Sequence, residues 1–184
     1  MVPIETEPLW IRMTKIDFQP VRPADPAGRV LYLLAYTFVL IGGAIMAAVT
    51  VMTVTSILGR WLFLSPIYGD FELAAIGTAI SVFLFLPYCH LLRGNVVVDL
   101  FLAWAPERVQ ILFDAVGSAM LGVIGGVLAW RMALGGADMF RYGEVSIIVG
   151  FPIWIPFPFA VAAGALLALC CLYTTVRDVL RAVR

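Results

Sequence analysis

Charge is scarce in this sequence. Only 13% of its 184 residues are charged, 62% are hydrophobic, and the mean hydropathy is +1.01. Soluble domains carry about 25% charged residues, so an ordinary soluble domain is excluded and an integral membrane protein is indicated. The formal net charge is zero, which removes the basic surface expected of a nucleic-acid-binding protein.

Histidine and cysteine are also scarce. The single histidine, His90, excludes a haem held by two histidines of one chain; it could supply one ligand, but an interfacial residue at a helix end is the preferred interpretation. The three cysteines, Cys89, Cys170 and Cys171, lie inside apolar runs and are typical of small packing residues rather than of disulfides or metal sites. No C-x-x-C, P-loop or H-E-x-x-H motif occurs. We therefore expect no cofactor, no metal ion and no catalytic residue.

Four long apolar runs carry no charge at their centres. They predict an all-α integral membrane fold with transmembrane helices at about 30–58, 73–92, 106–135 and 156–176. The first run would be about 43 Å long as a straight helix, more than the roughly 30 Å hydrocarbon core, so it must tilt or project. Pro87 predicts a kink near the end of the second helix.

The segment before these runs has a different composition. Residues 1–29 mix acidic and basic side chains with five prolines, and the apolar run that follows is longer than a signal-peptide core. We interpret 1–29 as a cytoplasmic, proline-rich tail of little fixed structure, and 30–184 as the membrane domain.

The basic residues predict the orientation of the chain. Three of them, Arg60, Arg131 and Arg141, fall on one side of the predicted helices, and nine fall on the other side. Because cytoplasmic loops carry an excess of basic residues, both termini are expected in the cytoplasm. The nine are Arg12, Lys15, Arg22, Arg29, Arg93, Arg108, Arg177, Arg181 and Arg184.

The connection between the second and third predicted helices is unusually apolar. Residues 96–105 would rise only about 15 Å as a helix, half of the hydrocarbon core. We expect a short helix lying in the inner interface, preceded by Arg93, with Trp104 at its end and Asp99 facing water or a basic partner. A greasy loop folded back on the bundle is the alternative.

Polar groups at membrane depth, which ion and acid carriers need, are nearly absent from the helix cores, as are paired broken helices. The carboxylates Asp70, Glu72, Asp138 and Glu144 lie on the outer side, near the three arginines there, and solvated or ion-paired interfacial roles are preferred to acid–base chemistry. Since the second and third helices are joined by a short connection, we expect them to be neighbours. Glu72 should then face Arg131 or Arg60, or a basic group on a partner.

Two features indicate close packing against other protein. Gly122 and Gly126 form a small-xxx-small pair, which lets helix backbones approach closely. The stretch "EVSIIVGFPIWIPFP" (144–158) is apolar but interrupted by a glycine and three prolines. Non-helical backbone at membrane depth must be covered by protein, either this bundle or another subunit. Together these features favour a helper subunit.

The layout resembles the small membrane subunit of tripartite ATP-independent periplasmic (TRAP) transporters, the DctQ-like family. The resemblance covers about 30–181, with four spans and both ends inside. Its motifs, in order, are Arg60 after the first span, "YGDFELAAIG" (68–77), "RGNVVVDL" (93–100) and "SIIVGFPIWIPFPFAVAAG" (146–164).

The resemblance implies partners and a process. Such subunits bind a large multi-span membrane subunit that carries the substrate and sodium sites, while a periplasmic binding protein delivers the substrate, typically a carboxylate. The implied role is to enlarge the fixed scaffold of an elevator in the bacterial inner membrane. Membrane lipid is a further partner, and no nucleic acid is expected. Candidate subunit-interface or lipid-interface residues are Arg60, Glu72, Arg93, Asp99, Trp104, Arg131 and Trp154.

Two other functions remain open at this point. One is a small four-span membrane enzyme or redox protein. The other is a free-standing four-span carrier or an assembly factor.

Overall fold

The computed structural model describes residues 26–63, 67–92 and 107–183, with the side chains of 63, 107–112 and 181–183 left out. It contains four helices, each long and apolar enough to cross a membrane, and no β-strand within the described ranges. The prediction of an all-α, four-span membrane fold is confirmed. The helices are α1 (Pro26–Phe63), α2 (Asp70–Leu91), α3 (Glu107–Tyr142) and α4 (Pro156–Val183).

The helices extend past the apolar runs that predicted them. Helix α1 has 38 residues, so it is about 57 Å long, and α3 has 36 residues, because backbone hydrogen bonding continues into the polar flanks. Pro87 lies inside α2. Residues 1–25 of the predicted tail lie outside the described residues. So does the predicted interfacial segment, with Arg93, Asp99 and Trp104.

The helices are arranged in the order α1, α2, α4, α3. Helix α2 packs against α1 and α4, α4 packs against α3, and α1 makes a small contact with α4. Within the described ranges α2 and α3 do not touch, so the expectation that they are neighbours is wrong. The short connection does not force adjacency, because the residues between Leu91 and Glu107 can span more than the width of the intervening helix α4.

Helix α1 contacts the bundle through a narrow seam of small residues. Gly28, Ala35, Gly42 and Ser56 are its buried residues, each seven residues or a multiple of seven from the next. A heptad spacing keeps one seam facing a partner helix. A Cβ on Gly42 would lie 2.9 Å from Cε1 of Phe85 on α2. Only 6% of the most apolar 18-residue stretch of α1 is buried, so the other helices leave most of the circumference of α1 exposed.

The contact between α3 and α4 is built on the same principle. A Cβ on Gly122 would lie 2.9 Å from Cβ of Cys171, and one on Gly164 would lie 2.9 Å from Cβ of Ala129. The predicted Gly122–Gly126 pair is half right: a Cβ on Gly125 would come 3.1 Å from Leu167, whereas one on Gly126 meets only a Cβ at 4.0 Å. In lipid the hydrophobic effect does not drive helices together, so close approach of this kind stabilises the helix pair through van der Waals contacts.

Helix α4 lies at the centre of the bundle. Its Ala163 packs with Ile80 and Leu84 of α2, while Leu166 and Cys170 pack with residues of α1 and α2. Cys170 and Cys171 are fully buried free thiols, as expected of packing residues, whereas Cys89 is exposed.

Candidate functional site

Polar side chains form two layers, one at each end of the bundle. The hairpin-end layer contains Asp70 and Glu72 at the start of α2, and the terminal-end layer contains His90 at the end of the same helix. The layers are about 30 Å apart along α2, which equals the hydrocarbon thickness of a bilayer. The first described residue, Pro26, and the last, Val183, lie toward the second layer, which gives the two ends their names.

Residues 143–155 form a hairpin between α3 and α4. Val145 and Pro152 make an isolated antiparallel bridge, the Ser146 amide donates to the Phe151 carbonyl at 2.8 Å, and the Ile153 amide donates to the Glu144 carbonyl at 3.1 Å. This confirms that the proline-interrupted stretch is not helical before Pro156. Its turn exposes apolar side chains, and Ile147 is 98% exposed.

Glu72 holds this hairpin to α2. Its carboxylate accepts a hydrogen bond from the Ser146 hydroxyl, one from the Ile148 amide at 3.2 Å and one from the Val149 amide at 3.1 Å. Gly69, which precedes α2 with φ of 75°, lies so close to Val149 that no Cβ would fit. We call this arrangement the Glu72 clamp. The backbone donors could not be found from residue types in the sequence.

Asp70 makes a second, separate set of contacts. Its carboxylate accepts a hydrogen bond from the buried Ser56 hydroxyl of α1, and it lies 3.6 Å from the Arg60 guanidinium. Arg60 therefore pairs with Asp70. Among the residues that the structure describes, Glu72 forms no ion pair with Arg60 or Arg131, contrary to the intramolecular expectation. The reason is geometric: residues two apart project about 200° apart around a helix, so Asp70 faces α1 and Glu72 faces the hairpin.

The terminal-end layer joins α2 to α4. His90 Nε2 and Thr174 Oγ1 are 2.9 Å apart, and the Thr174 hydroxyl also reaches the carbonyls of Cys170 and Cys171 at 3.1 and 3.0 Å. His90 is at a helix end as expected, but it is only 6% exposed, and Asp178, one turn beyond Thr174, is 3% exposed. The layer is therefore part of the packed interior rather than a solvated interface.

Trp154 and Arg131 lie on the α3 side of the bundle. Trp154 packs edge-on against Phe140, with ring centroids 5.3 Å apart, and lines an apolar groove of about 380 Å³ together with Gly136, Phe157 and their neighbours. Arg131 is exposed on α3 and makes no ion pair within the described part of the chain. The sequence predicted Arg131 in the outer charged layer, but the packing of α3 against α4 places it deeper in the membrane.

The chemistry of these polar groups is structural. The Ser56–Asp70, His90–Thr174 and Ser146–Glu72 hydrogen bonds each tie one helix, or the hairpin, to another element. Across the residues that the structure describes, no group of three or more His, Cys, Asp or Glu side chains is placed to hold a metal ion. The layers fix the shape of the bundle, and they leave most of the apolar surface of α1 and α3 uncovered.

Comparison with protein families gives a match over most of the chain. Residues 49–181 match the family described as "Tripartite ATP-independent periplasmic transporters, DctQ component". No curated protein and no solved structure gave a match. The matched range includes the hairpin, the Glu72 clamp and the contact between His90 and Thr174.

Proposed function

Since this chain belongs to the DctQ family and is the small, multi-pass membrane subunit of a TRAP transporter, we propose that it extends the fixed scaffold of a large membrane subunit. In this proposal the large subunit imports carboxylate-type solutes together with sodium. A periplasmic binding protein delivers the solute. The chain resides in the bacterial inner membrane with both termini in the cytoplasm.

The uncovered surface of α1 and α3 carries this proposal. Of the most apolar 18-residue stretch of each helix, 6% is buried in α1 and 22% in α3, against 44% in α4. Helix α1 thus offers most of its circumference, and α3 the side turned away from α4, to lipid or to another membrane protein. A scaffold subunit needs such broad apolar flanks, with its own polar groups used internally, as in the Glu72 clamp.

The enzyme or redox alternative receives no support from the family, which is a transporter component family. A free-standing carrier is also disfavoured, because the buried polar side chains of the described helices lie mainly in the two end layers, whereas carriers bury theirs at mid-depth. Arg131 is exposed on the outside of the bundle.

Reconstitution tests the proposal. Proteoliposomes should contain the large subunit with this chain, the large subunit alone, or this chain alone, each with the binding protein outside. Sodium-driven uptake should occur only when both membrane subunits are present. Uptake by this chain alone, or full uptake by the large subunit without it, would refute the accessory role.

A further inference from the structure

Arg131 lies on the side of α3 that faces away from the bundle. Ala129, two residues earlier, contacts Gly164 of α4, and two residues correspond to about 200° around a helix. Ile124 and Val127 share the side of Arg131 and are 57% and 53% exposed. We call the stripe formed by Ile124, Val127 and Arg131 the Arg131 face.

The packing fixes the depth of Arg131. Ala129 lies opposite Gly164 on an antiparallel helix, so Arg131 lies level with Ala162. Thr174 is twelve residues further along α4 and shares the level of His90. The Arg131 backbone is thus about 18 Å from the terminal-end layer and about 12 Å from the hairpin-end layer.

This position is unfavourable for a lone cation in lipid. Charged side chains near the bilayer centre are costly and normally pair with another group. The nearest carboxylate on the same side of α3, Asp138, is two turns away, about 10 Å along the axis. A counter-charge for Arg131 must therefore come from outside the described part of the chain.

A lipid phosphate is a poor source for that charge. The nearer headgroup region is at the hairpin end, where α3 ends. Side chains on a helix lean toward its N-terminus, which for α3 is the terminal end. The Arg131 side chain therefore points away from the nearer membrane surface, which disfavours extension of the guanidinium to the headgroups there.

We propose that the Arg131 face docks on a membrane helix or re-entrant segment of the large subunit that presents a carboxylate to Arg131. The proposal rests on the accessory function proposed above and deepens it by naming the contact face and the chemistry of its partner. The apolar residues Ile124 and Val127 supply the close contact around the charge pair, and the pair fixes the register between the two proteins.

Co-purification of the complete complex tests the proposal. Tagged chain would be expressed with the large subunit, and the recovered large subunit measured for Arg131→Leu, Arg131→Lys and the matched control Arg141→Leu, an exposed arginine of the last turn of α3. Leucine should reduce recovery about tenfold or more, because it leaves the partner's carboxylate buried and uncompensated. Lysine should retain most of the recovery, and Arg141→Leu should match the wild type.

The outcomes separate this proposal from the accessory function. Recovery with Arg131→Leu equal to wild type would overturn the docking proposal and leave the accessory function intact, since a lipid-facing arginine can only gain from leucine. Failure of the wild-type chain to recover any large subunit would overturn both.

A second measurement covers a variant that fails to fold. A photoreactive amino acid at Val127, with Arg131 unchanged, should give light-dependent adducts with the large subunit in membranes. An intact complex that yields only lipid adducts at Val127, with recovery that depends on added phosphatidylglycerol, would assign a lipid phosphate to Arg131 and overturn the proposal.

Discussion

The carboxylate of Glu72 and the hydroxyl of Ser146 form a hydrogen bond across 74 residues of sequence. This contact, with the Ile148 and Val149 amides bound to the same carboxylate, fixes the hairpin against the start of α2. A single acidic side chain thereby satisfies two backbone donors of the hairpin turn. The hairpin is consequently sensitive to a change at Glu72.

Removal of the Glu72 carboxylate should loosen the hairpin. In Glu72→Leu the Ile148 and Val149 amides lose their acceptor, so hydrogen exchange across 146–150 should accelerate about tenfold or more through local opening. Glu72→Gln keeps one carbonyl oxygen and should fall between. Mass-spectrometric exchange in detergent measures this, with Glu144→Leu, whose side chain is exposed, as the control.

A charge swap distinguishes the clamp from an ion pair. Glu72→Arg should release the hairpin, and adding Arg131→Glu or Arg60→Glu should not restore slow exchange, because Glu72 pairs with backbone amides rather than with either arginine. Restoration by Arg131→Glu would contradict the geometry of the clamp.

A methyl group in the α3–α4 seam should destabilise the isolated chain. The added Cβ in Gly164→Ala would press on Ala129 at 2.9 Å with helix backbone behind it, and overpacking of this kind costs about 1–3 kcal/mol. Gly117→Ala is the matched control, because its Cβ would meet nothing within 4 Å. Thermal unfolding in detergent should show a lower Tm for the first variant only; equal Tm values would show that the seam tolerates separation.

Thr174 should contribute to stability through His90. Thr174→Val keeps the shape and removes the hydroxyl that contacts His90 Nε2, which should cost about 1–3 kcal/mol of unfolding free energy. The control is Thr175→Val, because its hydroxyl bonds to the Cys171 carbonyl of its own helix. A double-mutant cycle with His90→Gln should give a coupling of about 0.5–3 kcal/mol. Simple additivity would mean that the contact is energetically silent.

The orientation can be tested by thiol labelling in whole cells. In a Cys89→Ser background the two remaining cysteines are buried, so single added cysteines can be read. Ile147→Cys, in a 98% exposed position, should react with a membrane-impermeant maleimide in intact cells, because nine of the twelve basic residues predict the opposite end to be cytoplasmic. Asp99→Cys should react only after the inner membrane is opened. The reverse pattern would invert the topology.

The segment 96–105 remains a prediction of an interfacial helix, and its own scan decides it. Cysteines placed singly from Val96 to Ala105 should react with a cytoplasmic thiol reagent with helical periodicity, since an interfacial helix buries one face. Leu102→Lys should harm complex recovery more than Leu102→Ala, because the charge must be desolvated or must pull the segment toward water. Uniform reactivity along the segment would indicate a solvated loop.

The four helices could be predicted because a membrane span requires a run of about 20 apolar residues, and such runs can be counted in the sequence. The order of the helices could not be predicted, because the insertion of α4 between α2 and α3 depends on which faces fit. The seam of α1 was visible as small residues seven apart at Gly28, Ala35 and Gly42, and the heptad spacing would have identified it.

The polar sites divide in a similar way. Glu72 and Arg60 were recognised as residues of one charged layer, which their positions at helix ends made clear. The intramolecular partner of Glu72 was assigned wrongly because a sequence argument pairs opposite charges, whereas the fold offers Glu72 two backbone amides and a hydroxyl and pairs Arg60 with Asp70. Arg131 was placed in the outer charged layer because the third helix was predicted to end near 135, but α3 continues to Tyr142, eleven residues beyond Arg131.

Helix α1 also has a consequence for the lipid around the protein. Its charge-free stretch, about 43 Å long, would need a tilt beyond the surveyed range of about 0–40° to fit within roughly 30 Å of hydrocarbon. The seam with α2 limits how far α1 can lean, so the excess length either projects beyond the hydrocarbon core or thickens the bilayer beside α1 at an elastic cost. Acyl chain length should therefore tune the protein, with longer chains relieving the deformation and shorter ones straining the seam at Gly42.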